Sequence, residues 1–136
     1  MEIYDTLLRD GAQAEGVNFN TSEKLRIIRL LDEFGIDYIE AGWPASSESD
    51  AETFRKAPQL NHATLVAFGS THNKNLPAHA DPNLKAIISS GVSTACIFGK
   101  TWAAHVKNQL NCTNERNLQL IHDSIAHLRQ QGLAVF

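Results

Sequence analysis

Four times in this chain a short apolar, β-branched or aromatic run is followed by a turn and then by a segment of helical hydrophobic period. That alternation builds parallel sheets. The runs cover residues 3–8, 38–41, 64–68 and 94–98, and residues 133–136 begin a fifth. Asn20 and Glu23 have capping-box spacing ahead of a helix that carries Ile27, Leu30, Leu31 and Phe34 on one face and ends at Gly35. Ser49 and Glu52 offer a second box for a shorter helix ending near Pro58. Asp81-Pro82 opens a third, with Leu84, Ile87 and Ile88 inward and Gly91 as its stop. A fourth places Leu118, Ile121, Ile125 and Leu128 on its buried face and ends at Gly132.

Two α/β architectures fit this pattern. Five parallel strands can close a flavodoxin-like domain in the 136 residues present. A (β/α)8 barrel needs about 250 residues, so four βα units and the start of a fifth strand would be its N-terminal half. Residues 43% hydrophobic and 20% charged predict one folded core rather than disorder. A formal charge of −3 gives no electrostatic basis for a nucleic acid or an anionic membrane as partner. The apolar runs are short and the amino end carries no leader pattern, so a cytoplasmic protein is expected. Cys96 and Cys112 are too few for a disulfide framework, and Cys96 is expected to be a buried apolar residue. Two glycosylation-like triplets, at Asn20 and Asn111, read better as helix-start chemistry.

The chemistry is concentrated in Tyr4-Asp5-Thr6-Leu7-Leu8-Arg9-Asp10-Gly11-Ala12-Gln13, where an apolar strand gives way to Arg, Asp, Gly and Gln at its carboxyl end. Parallel α/β proteins bind their ligands at that edge. Asp10 can coordinate a divalent cation, Arg9 can stabilise a developing oxyanion, and Gly11 lets the backbone turn sharply. Composition alone favours reading the same residues as an exposed ion pair after a strand. His122 and His127 stand five apart, off the i, i+4 spacing of a zinc pair, and His62, His72 and His79 lie in loops without ligand spacing. No GxGxxG or GxxxxGK[ST] sequence is present.

This segment closely resembles the strand-one motif of the DRE-type TIM-barrel metallolyases, the HMGL-like family of isopropylmalate, homocitrate and citramalate synthases and hydroxymethylglutaryl-CoA lyase. The family pattern is Asp, a small hydroxyl residue, Thr, Leu, Arg, Asp, Gly, then Gln two positions later. Asp5, Thr6, Leu8, Arg9, Asp10, Gly11 and Gln13 match, and Leu7 replaces the usual threonine. The resemblance continues through Gly35 to Pro44, Ala67-Phe68-Gly69-Ser70-Thr71, Asp81-Pro82-Asn83-Leu84 and Ile97-Phe98-Gly99-Lys100-Thr101-Trp102. Gly42-Trp43-Pro44 and the two Phe-Gly segments are similar to the citramalate synthase branch.

The resemblance implies residues 1–136 as a partial pyruvate-carboxyltransferase-like barrel domain, truncated at its carboxyl end and inactive alone. In the complete enzyme it implies Claisen-type condensation of acetyl-CoA, the cosubstrate, with a short 2-oxo acid, favouring pyruvate, in branched-chain amino-acid biosynthesis. Asp10 would be a ligand of a divalent metal ion (Zn, Mg or Mn), Arg9 would stabilise the enolate or alkoxide and bind substrate, and Gln13 would line the acyl site. Glu40 would stand close to the metal as a catalytic residue, with a solvated strand-end carboxylate as its alternative reading. His105 would lie beside the oxo acid, with a structural histidine as its alternative. A homodimer is implied for the full-length protein. The family's His-x-His metal ligands and general base lie beyond this segment. Isopropylmalate or homocitrate synthesis, and a non-catalytic five-stranded binding domain, remain the other readings. A half barrel would expose two sheet edges and an inner face bearing Ile3, Ile39, Val66 and Ile97 or their alternates, and is expected to associate or stay partly molten.

Overall fold

The computed structural model describes residues 1–136. Its five strands, β1 (Tyr4–Asp5), β2 (Tyr38–Gly42), β3 (Thr64–Ser70), β4 (Thr94–Phe98) and β5 (Ala134–Val135), form one parallel sheet in the order β1-β2-β3-β4-β5. Each strand lies beside its neighbour in sequence, as in a (β/α)8 barrel, whereas a flavodoxin-like domain has the order 2-1-3-4-5. The order therefore selects the N-terminal half of a TIM barrel.

Helices α1 (Thr21–Phe34), α2 (Glu48–Lys56), α3 (Pro82–Ser89) and α5 (Asn114–Gln130) connect the strands, with a short turn α4 (Ala103–His105) running into a π-helical turn at Val106–Leu110. One face of the sheet packs under them: Ile39, Ala41, Ala67 and Ala95 join Ile28, Phe54, Leu84, Ile87 and Leu128 in one buried cluster. Strand alternation sends the next residues to the other face, where a barrel has its interior. Glu40 pairs in register with Val66, and Phe68 with Cys96, so these four share that face. Ile39 and Ile97 consequently point toward the helices rather than inward, and it is their alternates that line the interior.

Two caps form as the local sequence predicts. The Asn20 side chain accepts from Glu23 N while Glu23 accepts from Asn20 N, and Gly35 ends α1 at φ 90°. Asp81 caps α3 with Pro82 in its first turn. The second helix starts earlier than expected: Ser47, not Ser49, is its cap, accepting from Asp50 N, because Ser49 already lies in the helix. Strand one is also shorter. It breaks after Asp5, and Thr6 O accepts from the backbone N–H groups of Arg9, Asp10 and Gly11 in a tight turn.

The buried faces of the long helices differ from the apolar pattern. Leu30, Phe34 and Leu118 are exposed, while Lys24, Asp32, Asn117 and Ser124 are buried. Each of these four side chains has a partner from another part of the chain, and Asn117 Oδ1 is the one atom among them left without one. Lys24 Nζ donates to Asp50 Oδ1 at 2.5 Å, and Asp32 accepts from Asn61, His62 and Ala63 N. Asn117 Nδ2 donates to Lys100 O, and Ser124 Oγ accepts from His72 N.

Candidate active site

The turn after β1 delivers Arg9 to the carboxyl end of the sheet, directly over the inner face. Its Nε donates to Glu40 Oε1 at 2.5 Å, and its guanidinium lies 3.9 Å from the centre of the Phe68 ring. Glu40 is 1% exposed, so it is not a solvated strand-end carboxylate. Its other oxygen, Oε2, accepts from the Tyr4 hydroxyl at 2.7 Å. Burial first, then the Glu40 carboxylate beside it, push the Tyr4 phenol pKa well up, so the phenol remains a donor. The register break between Glu40 and Gly42 falls at this point, a bulge beside the site.

Asp10 follows at the rim. Its side chain is 63% exposed and its Oδ1 accepts from Arg9 Nη1 at 3.1 Å. A guanidinium has five N–H bonds. Glu40 and Asp10 take one each, and the other three are unpaired at the mouth of the half barrel. Gln13 is exposed on the one-turn helix Gly11–Gln13, three residues past Asp10. His105 does not join this group: no hydrogen bond or ion pair links it to Arg9, Asp10 or Glu40, and its ring packs at 4.5 Å against Trp102.

Three residues at this corner escape a motif reading. Tyr4, Phe68 and Cys96 come from three strands and meet Arg9 and Glu40 through the sheet register. The one available signal is period-two alternation, which places each on the same face as Glu40. Cys96 is half-buried beside Tyr4 and Glu40 rather than in the apolar cluster, and burial pushes its thiol pKa up.

No three His, Cys, Asp or Glu side chains converge anywhere in the chain to hold a metal. One exposed carboxylate does not fix a divalent cation, which takes several protein or substrate donors.

Next to the corner opens a cleft of about 900 Å³ lined by Trp43, Asn83, Lys74, Lys100, Phe98 and Leu110 among others. Trp43 connects the two places, since its ring meets Phe68 edge-on at 5.6 Å and its indole N–H donates to Asn83 Oδ1 at 2.6 Å. His72 lies in the cleft wall but is 3% exposed, with Nδ1 against the carbonyls of Asn73 and Leu76. Its Nε2 is buried without a hydrogen-bond partner.

A model of one protein family matches residues 1–135, nearly the whole chain. The chain belongs to the HMGL-like family. This HMGL-like chain is 44% identical to (R)-citramalate synthase of Sulfolobus acidocaldarius over 99% of its own length and 26% of that protein's. It is 42% identical to (R)-citramalate synthase of Streptomyces coelicolor over 98% and 26% of the two lengths. It is 36% identical to 2-isopropylmalate synthase of Saccharolobus solfataricus over 99% and 33%. The chain thus spans about a quarter to a third of these curated relatives. Hydroxymethylglutaryl-CoA lyase of Pseudomonas aeruginosa superposes with a TM-score of 0.75 at 25% identity, over 98% of this chain and 44% of the lyase. The HMG-CoA lyase of Bacillus subtilis gives 0.76 at 20% identity over 98% and 44%, a likeness of fold. No helix is long and apolar enough to cross a membrane.

Proposed function

We propose that this chain is the front half of the catalytic barrel of an acetyl-CoA condensing enzyme of citramalate synthase type, acting on a short 2-oxo acid, with pyruvate favoured. The observation that carries the reading is Arg9, held over Phe68 by a buried carboxylate with three N–H bonds unpaired at the carboxyl mouth of the sheet. Condensation puts negative charge on oxygen twice, at the enolate of the acetyl group and at the attacked carbonyl. A fixed, unpaired guanidinium edge meets both needs without reorganising. Asp10 would supply one ligand to a divalent metal, which would polarise the oxo acid, with the remaining donors from substrate or from other parts of the full-length protein. Gln13 on the rim would line the acyl site and His105 the oxo-acid side. The neighbouring cleft, with Lys74 and Lys100, offers space and positive charge for an anionic cosubstrate such as acetyl-CoA.

The segment lacks donors for a complete metal site and is expected to be inactive alone. The test is an assay of CoA release by the full-length protein with acetyl-CoA and pyruvate, 2-oxoisovalerate or 2-oxoglutarate. Pyruvate-dependent release with citramalate as product is expected. Preference for 2-oxoisovalerate or 2-oxoglutarate would move the assignment to isopropylmalate or homocitrate synthesis. Release with none of them would overturn the enzyme reading in favour of a binding domain.

A further inference from the structure

We propose that Tyr4 is a positioning residue for Arg9: by occupying the second oxygen of Glu40 it keeps the Glu40–Arg9 contact single and leaves the forward edge of the guanidinium free. Only the kinetic consequence rests on the condensing-enzyme reading. The geometry stands without it.

A carboxylate 1% exposed has lost its water, and each oxygen needs a donor from the protein. Arg9 Nε supplies one at 2.5 Å and the Tyr4 hydroxyl the other at 2.7 Å. Left to themselves, a carboxylate and a guanidinium close into a two-bond fork. Here the contact is single, with Oε2 turned to the phenol instead of to a second guanidinium N–H. Tyr4 is held in place in turn by Tyr38, stacked at 6.1 Å, and by Phe136, edge-on at 5.5 Å. Phe68 supports the guanidinium from its flat side at 3.9 Å. Cys96 also lies beside Glu40, but a thiol is a weak donor that cannot replace the phenol. Without the hydroxyl, Glu40 Oε2 finds its nearest strong donors on Arg9 itself. The guanidinium then turns to make two bonds to Glu40 and withdraws N–H groups from the mouth.

The experiment uses the full-length protein and Tyr4→Phe, which keeps the ring and removes the hydroxyl. A crystal structure of the variant is expected to show both Glu40 oxygens bonded to Arg9. Arg9 unmoved, with Oε2 bare, overturns the proposal whatever reaction the protein catalyses. In steady-state assays Tyr4→Phe is expected to lower kcat about tenfold, roughly one hydrogen bond's worth, with KM for acetyl-CoA within about twofold. In an Arg9→Lys background, where no fork can form, Tyr4→Phe should cause no further loss. Equal losses in both backgrounds mean a general structural effect and overturn the positioning role. Glu40→Gln tests the same link if Tyr4→Phe folds poorly: a comparable fall in kcat supports it, and wild-type kcat overturns it. A full-length protein that condenses no 2-oxo acid removes the functional reading, and the crystallographic comparison still decides this one.

Discussion

Arg9 Nε lies 2.5 Å from Glu40 Oε1, an ion pair between residues 31 positions apart that places a buried carboxylate under the guanidinium. Arg9 is therefore a counter-charge as well as a catalytic candidate. The motif alone suggests that Arg9→Ala leaves the fold intact, because the residue follows the strand. The pairing predicts a stability cost of about 3 kcal/mol, near the lower end for breaking a buried pair since Arg9 keeps 20% exposure. Arg9→Lys retains the charge and should unfold in urea near the wild-type midpoint. Its turnover should still fall about 10²–10³-fold, as when one preorganised oxyanion donor is lost. Parallel urea titrations and steady-state kinetics of the full-length variants separate the two effects.

Asp10 behaves oppositely, since its side chain is 63% exposed and touches Arg9 alone. Asp10→Asn should shift stability by no more than about 0.5 kcal/mol. Turnover of the metal-stripped full-length protein, titrated with Mg, Mn or Zn, should need at least about 10–100-fold more ion, the cost of losing even an outer-shell partner. An unchanged titration would remove Asp10 from the ligand set.

At the amino end of the sheet, Asp32 accepts from three consecutive backbone N–H groups, which hold its carboxyl pKa below the usual range, those of Asn61 and Ala63 most strongly. A depressed folded pKa contributes stability that is present above the unfolded value of 3.8 and is lost as pH falls from there through the lowered folded value. Wild-type protein should lose stability on acidification below about pH 4. Asp32→Ala should be less stable at pH 7 by about 2–4 kcal/mol and flatter across the acid window, as read by urea midpoints between pH 7 and pH 3.

Gly42 sits at φ 149°, and a Cβ there would stand 2.8 Å from Asp50 Oδ2. Asp50 also binds Lys24 Nζ and Trp43 N, so the clash falls on the contact that ties α1 and α2 to the turn after β2. Gly42→Ala is expected to cost about 1–3 kcal/mol and to change Trp43 fluorescence, because its backbone anchor moves. An unaltered emission spectrum and unfolding midpoint would show that Asp50 yields freely.

Phe34, Leu118 and Phe136 are 82%, 65% and 55% exposed, and β1 and β5 are the outer strands of the sheet. Exposed apolar area and unpaired strand edges each favour association. The 136-residue chain in isolation should dimerise, aggregate or lose near-UV circular dichroism. Light scattering over a dilution series checks this, and a monodisperse monomer that unfolds cooperatively would contradict it.

Local sequence determined the units of this protein. Asn20 with Glu23, Asp81 with Pro82, and Gly35 act on backbone groups within a few residues, so caps and stops could be read directly. The Arg9-Asp10-Gly11 motif was legible for the same reason, as a contiguous turn. Ser47 displaced Ser49 as a cap because several spacings in one polar stretch satisfy the same rule. Tertiary structure alone decided how the units combine. The alternation suits both a barrel and a doubly wound sheet, and only the pairing of each strand with its sequence neighbour separates them. It also decided which helix faces are buried. Lys24, Asp32 and Asn117 go inside because Asp50, residues 61–63 and Lys100 supply partners, and such partners are invisible to a hydrophobic period. Tyr4, Glu40 and Phe68 form one site with Arg9 because parallel register stacks three strands on a single face, a relation set by long-range hydrogen bonding that no residue's neighbours in sequence encode.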